Sequence, residues 1–178
     1  PDPQLVDVAP MVQGYKGDAA VAQAEAFDAT PANLDARTQA STLPSGLKVA
    51  LLPKGTRGNR VQARLTLRFG DVDSLRGREM AVSMLGGLVD KGGAGMTRAQ
   101  ISDAFDKLQA EVGFNAGGQT LHVNITTVRQ HLPAVVSLVG RLLKEPALPA
   151  EALDERRRQL LAAVAAQRAE PEAVAAKA

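Results

Sequence analysis

The chain has 178 residues, a formal net charge of +2 from 21 basic and 19 acidic side chains, and an aromatic content of 3%. This near-neutral charge argues against a nucleic-acid footprint, and so few aromatic rings argue against a base-stacking platform. No run of about 18 apolar residues is present, so no membrane span is predicted. The absence of cysteine excludes disulfides and thiolate sites. The length allows one domain with an extension and a core large enough to fold alone.

Residues 1–41 are rich in alanine, aspartate and proline and have no sustained apolar period. Only residues 19–27 have the pattern of a short helix. This composition predicts a linker or a wrapping arm. The chain begins at Pro1 and shows no signal peptide, which indicates a processed product or an excised piece.

Strand patterns begin after Thr42. Apolar residues alternate over 47–51, after the turn Pro44-Ser45-Gly46, and again over 61–69, which is the clearest half-buried strand in the chain. Residues 77–93 then predict a helix whose apolar face consists of Ala81, Met84, Leu85 and Leu88.

A second helix is predicted to begin at Thr97, because Gln100 three residues later completes a capping box. Its apolar face consists of Ile101, Ala104, Phe105 and Leu108. Residues 111–116 and 120–126 predict a hairpin across Gly117-Gly118.

Two more helices are predicted near the end of the chain. The first carries the stripe Leu132, Val135, Val136, Val139, Leu142 and Leu143, and the second runs from about Glu151 toward Arg168 through Leu153, Leu160, Leu161 and Val164. The resulting order is β-β-α-α-β-β-α-α. It predicts the α+β class, with a mainly antiparallel four-stranded sheet and helices packed on one face.

Four segments in this order resemble the insulinase/pitrilysin family of zinc metallopeptidases: TLPSGLKVALLPK (42–54), LTLRFGDVDSL (65–75), DKGGAGMTRAQISDAFDKLQAEVGFNAG (90–117) and HLPAVVSLVGRLLKEPALPAEALDERRRQLLAA (131–163). The resemblance implies two homologous halves, or two subunits, that close around a chamber, with zinc typically in only one of them. It implies that 42–178 is an inactive peptidase domain of the second half, incomplete at its C-terminus. Residues 1–41 would then link the halves, and a periplasmic or secreted location is suspected.

An active half carries an H-x-x-E-H helix, in which two histidines hold Zn²⁺ and a glutamate is the general base. The resemblance places Ser83, Gly87 and Ala163 at the ligand positions and Gly86 at the position of the base. None of these side chains binds zinc or transfers a proton at neutral pH. We therefore expect no catalytic residue, no metal and no cofactor in this chain, with zinc only in the catalytic half.

One segment keeps a functional interpretation. The resemblance implies that the strand with Phe114, Asn115 and Ala116 is the sheet edge that pairs with the substrate backbone. Such pairing needs no particular side chain, so Val112, Phe114, Asn115 and Ala116 form a candidate peptide-binding edge strand. The alternative is an ordinary hairpin strand. The expected partners are the catalytic half, on the same chain or on a separate subunit, and a peptide substrate.

The remaining polar features are interpreted structurally. His122 and His131 are isolated and lack carboxylates at ligand spacing. Residues 156–158 are three arginines, but an Asp154–Arg158 pair is expected to make them part of a solvated face rather than a phosphate site. Gly86 and Gly87 are expected inside a helix that packs closely against another helix.

The sequence thus predicts a catalytically inactive domain of a two-half zinc metallopeptidase, which encloses the chamber and contacts peptide substrate but is no enzyme by itself. The alternative is a structural or assembly subunit without a role in proteolysis. A third hypothesis is binding of nucleic acid or another anionic surface through residues 156–158.

Overall fold

The structure, a computed structural model, describes residues 23–169 and the side chains of 23–166. It divides into two compact units at residues 58 and 59. Part of the short helix predicted for 19–27 lies outside the described residues, and residues 23–27 are not helical. None of the helices within 23–169 has the length and apolar character needed to cross a bilayer.

The first unit contains helix α1 (Pro31–Arg37) and an antiparallel hairpin of strands β1 (Gln39–Thr42) and β2 (Lys48–Leu51). The Arg37 guanidinium donates a hydrogen bond to Glu25 Oε1 at 2.7 Å, and the Glu25 amide donates one to the Gly55 carbonyl at 3.2 Å. The hydrogen bond from Arg37 is the main reason why the pKa of Glu25 is lowered. These bonds connect the residues before α1 to those after β2.

The second unit contains most of the regular structure. A 3₁₀ turn (Arg57–Asn59) leads into β3 (Arg60–Arg68), α2 (Val72–Leu75), α3 (Glu79–Leu85), a 3₁₀ turn (Val89–Lys91), β4 (Gly92–Gly93), β5 (Met96–Thr97), α4 (Arg98–Lys107), β6 (Glu111–Gly117), β7 (Thr120–Val128), α5 (Leu132–Lys144) and α6 (Ala150–Ala169).

The main sheet is antiparallel, with the order β3-β7-β6, and the chain belongs to the α+β class as predicted. Its strand number corrects the prediction. The sheet has three strands within the described residues, because β2 pairs with β1 instead of joining β3. The element order also differs from the predicted one, since β1 and the small strand pair β4-β5 were not expected.

The core lies on one face of this sheet. Alternate residues of β7 are buried, and they pack with residues of α4, β6 and α5 in one cluster: Val89, Ile101, Phe105, Phe114, Leu121, Val123, Ile125, Val135, Leu138, Val139 and Leu142. Thr127 is the buried polar residue of this face, and its hydroxyl donates to the Leu108 carbonyl at 2.9 Å. The bond satisfies a polar group that burial would otherwise penalise.

The helix predictions hold where local signals are strong. The predicted capping box at the start of α4 is confirmed, with reciprocal bonds of 3.3 and 2.9 Å between Thr97 and Gln100. Helix α5 is also confirmed, but its buried stripe is shifted. Leu138 is in the core, whereas Val136, predicted to share the apolar face, is 50% exposed.

Candidate functional site

The second unit has a cavity of about 360 Å³ between the end of α3, strand β6 and helix α6. Its walls consist of Ser83, Gly86, Gly87, Lys91, Arg98, Phe114, Asn115, Ala116, Ala152, Glu155, Arg156 and Gln159. The structure therefore brings together most of the residues predicted from sequence for the vacant metal site and for the edge strand.

Helix α3 ends earlier than its sequence pattern predicts. The last helical residue is Leu85, and Gly86 is the C-cap. At the other end of the helix, Glu79 Oε1 accepts a hydrogen bond from the Gly77 amide at 3.1 Å. The pKa of Glu79 is lowered by a hydrogen bond from its own main chain and then by the one from Gly77. The prediction that Gly86 and Gly87 lie inside the helix is wrong, because the helix stops before them.

The two glycines have different surroundings. A Cβ atom at Gly86 would lie 2.7 Å from the Ala116 nitrogen and 2.9 Å from the Phe114 oxygen, so only glycine fits against β6. A Cβ atom at Gly87 would have its nearest contacts at 3.6 Å or more, which is ordinary van der Waals distance. The predicted close packing is thus found at Gly86 alone, and against a strand rather than a helix.

The structure brings together only some of the positions predicted to correspond to zinc ligands. Ser83 and Gly87 line the cavity, but Ala163 is exposed on α6 and is not among the lining residues. The Ser83 hydroxyl donates to the Met80 carbonyl at 2.8 Å. One hydroxyl, a glycine and a methyl group do not match the imidazole, thiolate and carboxylate ligands that zinc uses. Within residues 23–169, no three His, Cys, Asp or Glu side chains form a group able to hold a metal.

Strand β6 is an edge strand of the sheet, since β7 is its one strand neighbour in the described part of the chain. Phe114, Asn115 and Ala116 line the cavity, whereas Val112 does not. Across residues 23–169, the main chain of β6 forms no main-chain hydrogen bond outside the β6–β7 hairpin. Gly86 nevertheless lies against this strand at Phe114 and Ala116. The candidate peptide-binding edge is therefore exposed along only part of its length.

Four of the residues that line the cavity are charged. Lys91, Arg98 and Arg156 are cationic, and Glu155 is the one carboxylate among the lining residues. Lys91 pairs with Asp90 at 2.7 Å, and Glu155 accepts a hydrogen bond from Gln159 at 3.2 Å. The lining therefore carries an excess of positive charge.

Arg156 is the site residue that the sequence interpretation missed. It was assigned to a solvated face, but it is half-buried and lines the cavity, while Arg157 and Arg158 are exposed. Its Nε atom is buried and has no hydrogen-bond partner within the described residues. The signal was present in the helical spacing of Ala152, Arg156 and Gln159, which places them on one face of α6. That spacing does not tell which face meets the cavity.

The other polar predictions have mixed outcomes. The expected Asp154–Arg158 ion pair is not formed among the described residues. His122 Nδ1 lies 3.0 Å from Thr66 Oγ1 across the β3–β7 pair, and His131 Nε2 lies 3.1 Å from Gln130 Nε2. Both histidines thus have local contacts of the structural kind that their sequence context predicts.

Comparison with known structures supports the fold. The chain is similar to a crystal structure of a peptidase M16 inactive domain from Pseudomonas fluorescens, with a TM-score of 0.63 and 20% sequence identity. The similarity covers 78% of this chain and 34% of that one, so the chain spans about a third of that structure's length. No protein-family model and no curated protein matches the chain. At this identity the likeness establishes the fold, which agrees with the expected peptidase-like architecture.

Proposed function

We propose that the chain belongs to the non-catalytic half of a two-half zinc metallopeptidase, where it helps to enclose the chamber and contacts peptide substrate. One observation carries this proposal. In a fold similar to that of an inactive peptidase domain, the cavity wall includes Ser83, Gly86 and Gly87, the positions where the resemblance would place two ligands and the base. These residues supply no imidazole and no carboxylate there.

Substrate contact is the activity that such a domain would keep. Strand addition uses main-chain donors and acceptors, so it does not depend on the lost zinc ligands. The edge position of β6 and the cavity-lining residues Phe114 to Ala116 support this role. Because Gly86 lies close to that strand, the peptide would be held along a short stretch and with low affinity.

The proposal assigns zinc to the partner half alone. Elemental analysis of protein purified without a histidine tag should find far less than one zinc ion per chain. The reason is that Ser83, Gly86, Gly87 and Ala163 carry none of the imidazole, thiolate or carboxylate groups that zinc uses. A stoichiometric zinc that survives dialysis against a chelator would contradict the assignment.

Co-expression with the catalytic half tests the proposal. That half should carry an intact H-x-x-E-H helix and should be encoded upstream on the same polypeptide or in a neighbouring gene. Peptide cleavage is expected only when both halves are present. It should disappear when the glutamate of the partner's motif is replaced by glutamine.

Two other outcomes would reject a role in proteolysis. Stable association that leaves the partner's cleavage unchanged would favour the structural or assembly subunit. If the catalytic half does not bind this chain and is fully active without it, both the chamber role and the substrate-binding role are contradicted.

A further inference from the structure

The cavity between α3, β6 and α6 has the size of a small ligand site. Its volume of about 360 Å³ is within the range of roughly 300–1,000 Å³ found for such sites. Polar and charged side chains make up much of its wall, which distinguishes it from a packing defect in an apolar core. The chemistry of a ligand can therefore be inferred from the charges around it.

Two of the three cations in the wall have no counter-ion. Lys91 is compensated by Asp90, but Arg98 and Arg156 form no ion pair in residues 23–169, and neither has a side-chain hydrogen bond there. Glu155, the one acidic residue of the wall, is exposed and bonded to Gln159. The cavity thus offers positive charge that the protein itself does not neutralise.

Arg156 indicates where a ligand would bind. Its Nε–H is buried without an acceptor, and a buried donor left unsatisfied is unfavourable. A Cβ atom at Gly87 would lie 3.7 Å from this Nε atom, so Gly87 and Arg156 are neighbours in the cavity wall and no side chain at Gly87 fills the space beside the guanidinium. The planar fork of a guanidinium matches the two oxygens of a carboxylate.

We infer that this cavity is a carboxylate-binding site, in which Arg156 anchors the anion of a peptide beside Gly87 and Arg98 adds attraction at long range. The carboxylate belongs to an acidic side chain or to a peptide C-terminus. This inference rests on the proposed function for its choice of a peptide as the ligand. The preference for a carboxylate rests on the cavity alone.

Four matched peptides distinguish the two sources. They are Ac-Ala-Thr-Val-Thr-Ala with a free C-terminal acid, the same peptide as an amide, Ac-Ala-Thr-Glu-Thr-Ala-amide and its Gln counterpart. Titrations of the full chain are followed by amide chemical shifts, and Gly87 is expected to shift first. A carboxylate peptide should bind about ten- to a hundredfold more tightly than its neutral partner, since hydrogen bonds to charged groups are worth roughly 1.5–3 kcal/mol.

A preference for the free acid alone assigns the site to a C-terminus, and a preference for the Glu peptide alone assigns it to a side chain. If both carboxylate peptides bind more tightly than their neutral partners, the site recognises the carboxylate group from either source. Equal affinity for all four peptides would overturn the inference.

Variants of α6 identify the anchoring residue. Arg156→Gln should abolish the preference for a carboxylate, and Arg156→Lys should restore only part of it because lysine lacks the fork. Arg157→Gln is the matched control, since it removes the same charge from an exposed neighbour, and binding should stay within about twofold of the unmodified chain. If Arg157→Gln weakens binding as much as Arg156→Gln, diffuse charge on α6 explains the data and the inference is wrong.

A second pair of variants keeps the test decisive if Arg156→Gln fails to fold. Gly87→Asp would place a carboxylate beside Arg156 and should abolish the preference, whereas the isosteric Gly87→Asn fills the same space without the charge and should weaken the preference less. An unchanged preference in Gly87→Asp would place the binding site elsewhere.

The experiments distinguish failure of the carboxylate site from failure of the proposed function. If the catalytic half depends on this chain for cleavage while all four peptides bind equally, the proposed function stands and the carboxylate site does not. If the carboxylate preference is present but the catalytic half neither binds nor needs the chain, the carboxylate site stands and the proposed function does not.

Discussion

The core around β7 and α5 and the cavity beside α6 are built by different means. In the core, apolar side chains fill the space, and Val123, Val135 and Leu142 are completely buried. Around the cavity, α6 presents Leu153, Leu161 and Val164 at 43%, 61% and 45% exposure. The wall consists mostly of small, polar and charged residues, with Phe114 as the one large apolar side chain among them. Side-chain packing thus fixes the core, whereas main-chain position and charge define the cavity.

This difference means that the cavity wall and the core can vary largely independently of each other. The residues that line the cavity contribute little to the apolar cluster, apart from Phe114 and Ala116. Side-chain changes at cavity positions such as Ser83 and Gly87 would therefore leave the apolar cluster unchanged. The following predictions test whether the two regions are as separate energetically as they are in packing.

The largest expected effect is in the core. Leu142→Ala should lower the free energy of unfolding by about 2–5 kcal/mol, because it leaves a cavity in a completely buried position. Leu161→Ala on α6 is the control, and at 61% exposure it should change stability by less than about 0.5 kcal/mol. Urea unfolding followed by circular dichroism measures both. Equal losses would show that α6 is as firmly packed as α5.

Alanine substitutions at Gly86 and Gly87 should change the free energy of unfolding in opposite directions. Gly86→Ala should lower the free energy of unfolding by about 1–3 kcal/mol, because its Cβ would overlap the Phe114 and Ala116 main chain. Gly87→Ala should raise it by about 0.4–1 kcal/mol, since the site has room and alanine restricts the unfolded chain. Thermal melts give the sign directly. A stabilising Gly86→Ala would mean that α3 does not lie against β6.

The hydroxyl of Thr127 provides a smaller test of the core. Thr127→Val keeps the shape but leaves the Leu108 carbonyl without this donor, so stability should fall by about 1 kcal/mol. Thr126→Val, on the opposite face of β7, is the matched control and should have an effect within about 0.5 kcal/mol. A neutral Thr127→Val in urea unfolding would show that the Leu108 carbonyl does not depend on this bond.

The smallest effect is expected at the start of α3. The pKa of Glu79 is lowered from its usual 4.5 by main-chain hydrogen bonds, so its ionised form stabilises the folded state. This contribution is present above the usual pKa and is lost as the pH falls through the lowered one. Glu79→Gln should therefore reduce Tm by less than about 4 °C at pH 7 and have no effect near pH 2. A reduction of Tm that persists at pH 2 would assign the effect to packing rather than to charge.

Local signals explain what the sequence predicts well. The capping box of Thr97 and Gln100 and the alternation along β7 depend on neighbours within a few residues, so both could be identified without the structure. Strand β1 could not be identified, because all of its residues are exposed and its sequence shows no alternation of apolar and polar residues. Its pairing with β2 also explains why the predicted fourth strand is missing from the main sheet.

The hydrophobic periodicity of the sequence does not determine which residues meet at the cavity. The spacing on α6 gave a face with Arg156, but the position of that face over Gly87 depends on how the helix packs in three dimensions. The shifted stripe of α5 has a similar cause. Val136 and Leu138 are both apolar, and the choice between them depends on the rotation of the helix against the sheet.

The register of the main sheet also has a consequence for the order of folding. Strands β6 and β7 are joined by a short turn, so their hairpin closes locally and on the microsecond timescale expected for hairpins. Strand β3 pairs Arg60 with Val128, with three strands and several helices between them in the chain. Closing such a long loop has a larger entropic cost and slows folding. We therefore expect β3 to join last, so the opposite edge, β6, together with Phe114 to Ala116, is formed before the sheet is complete.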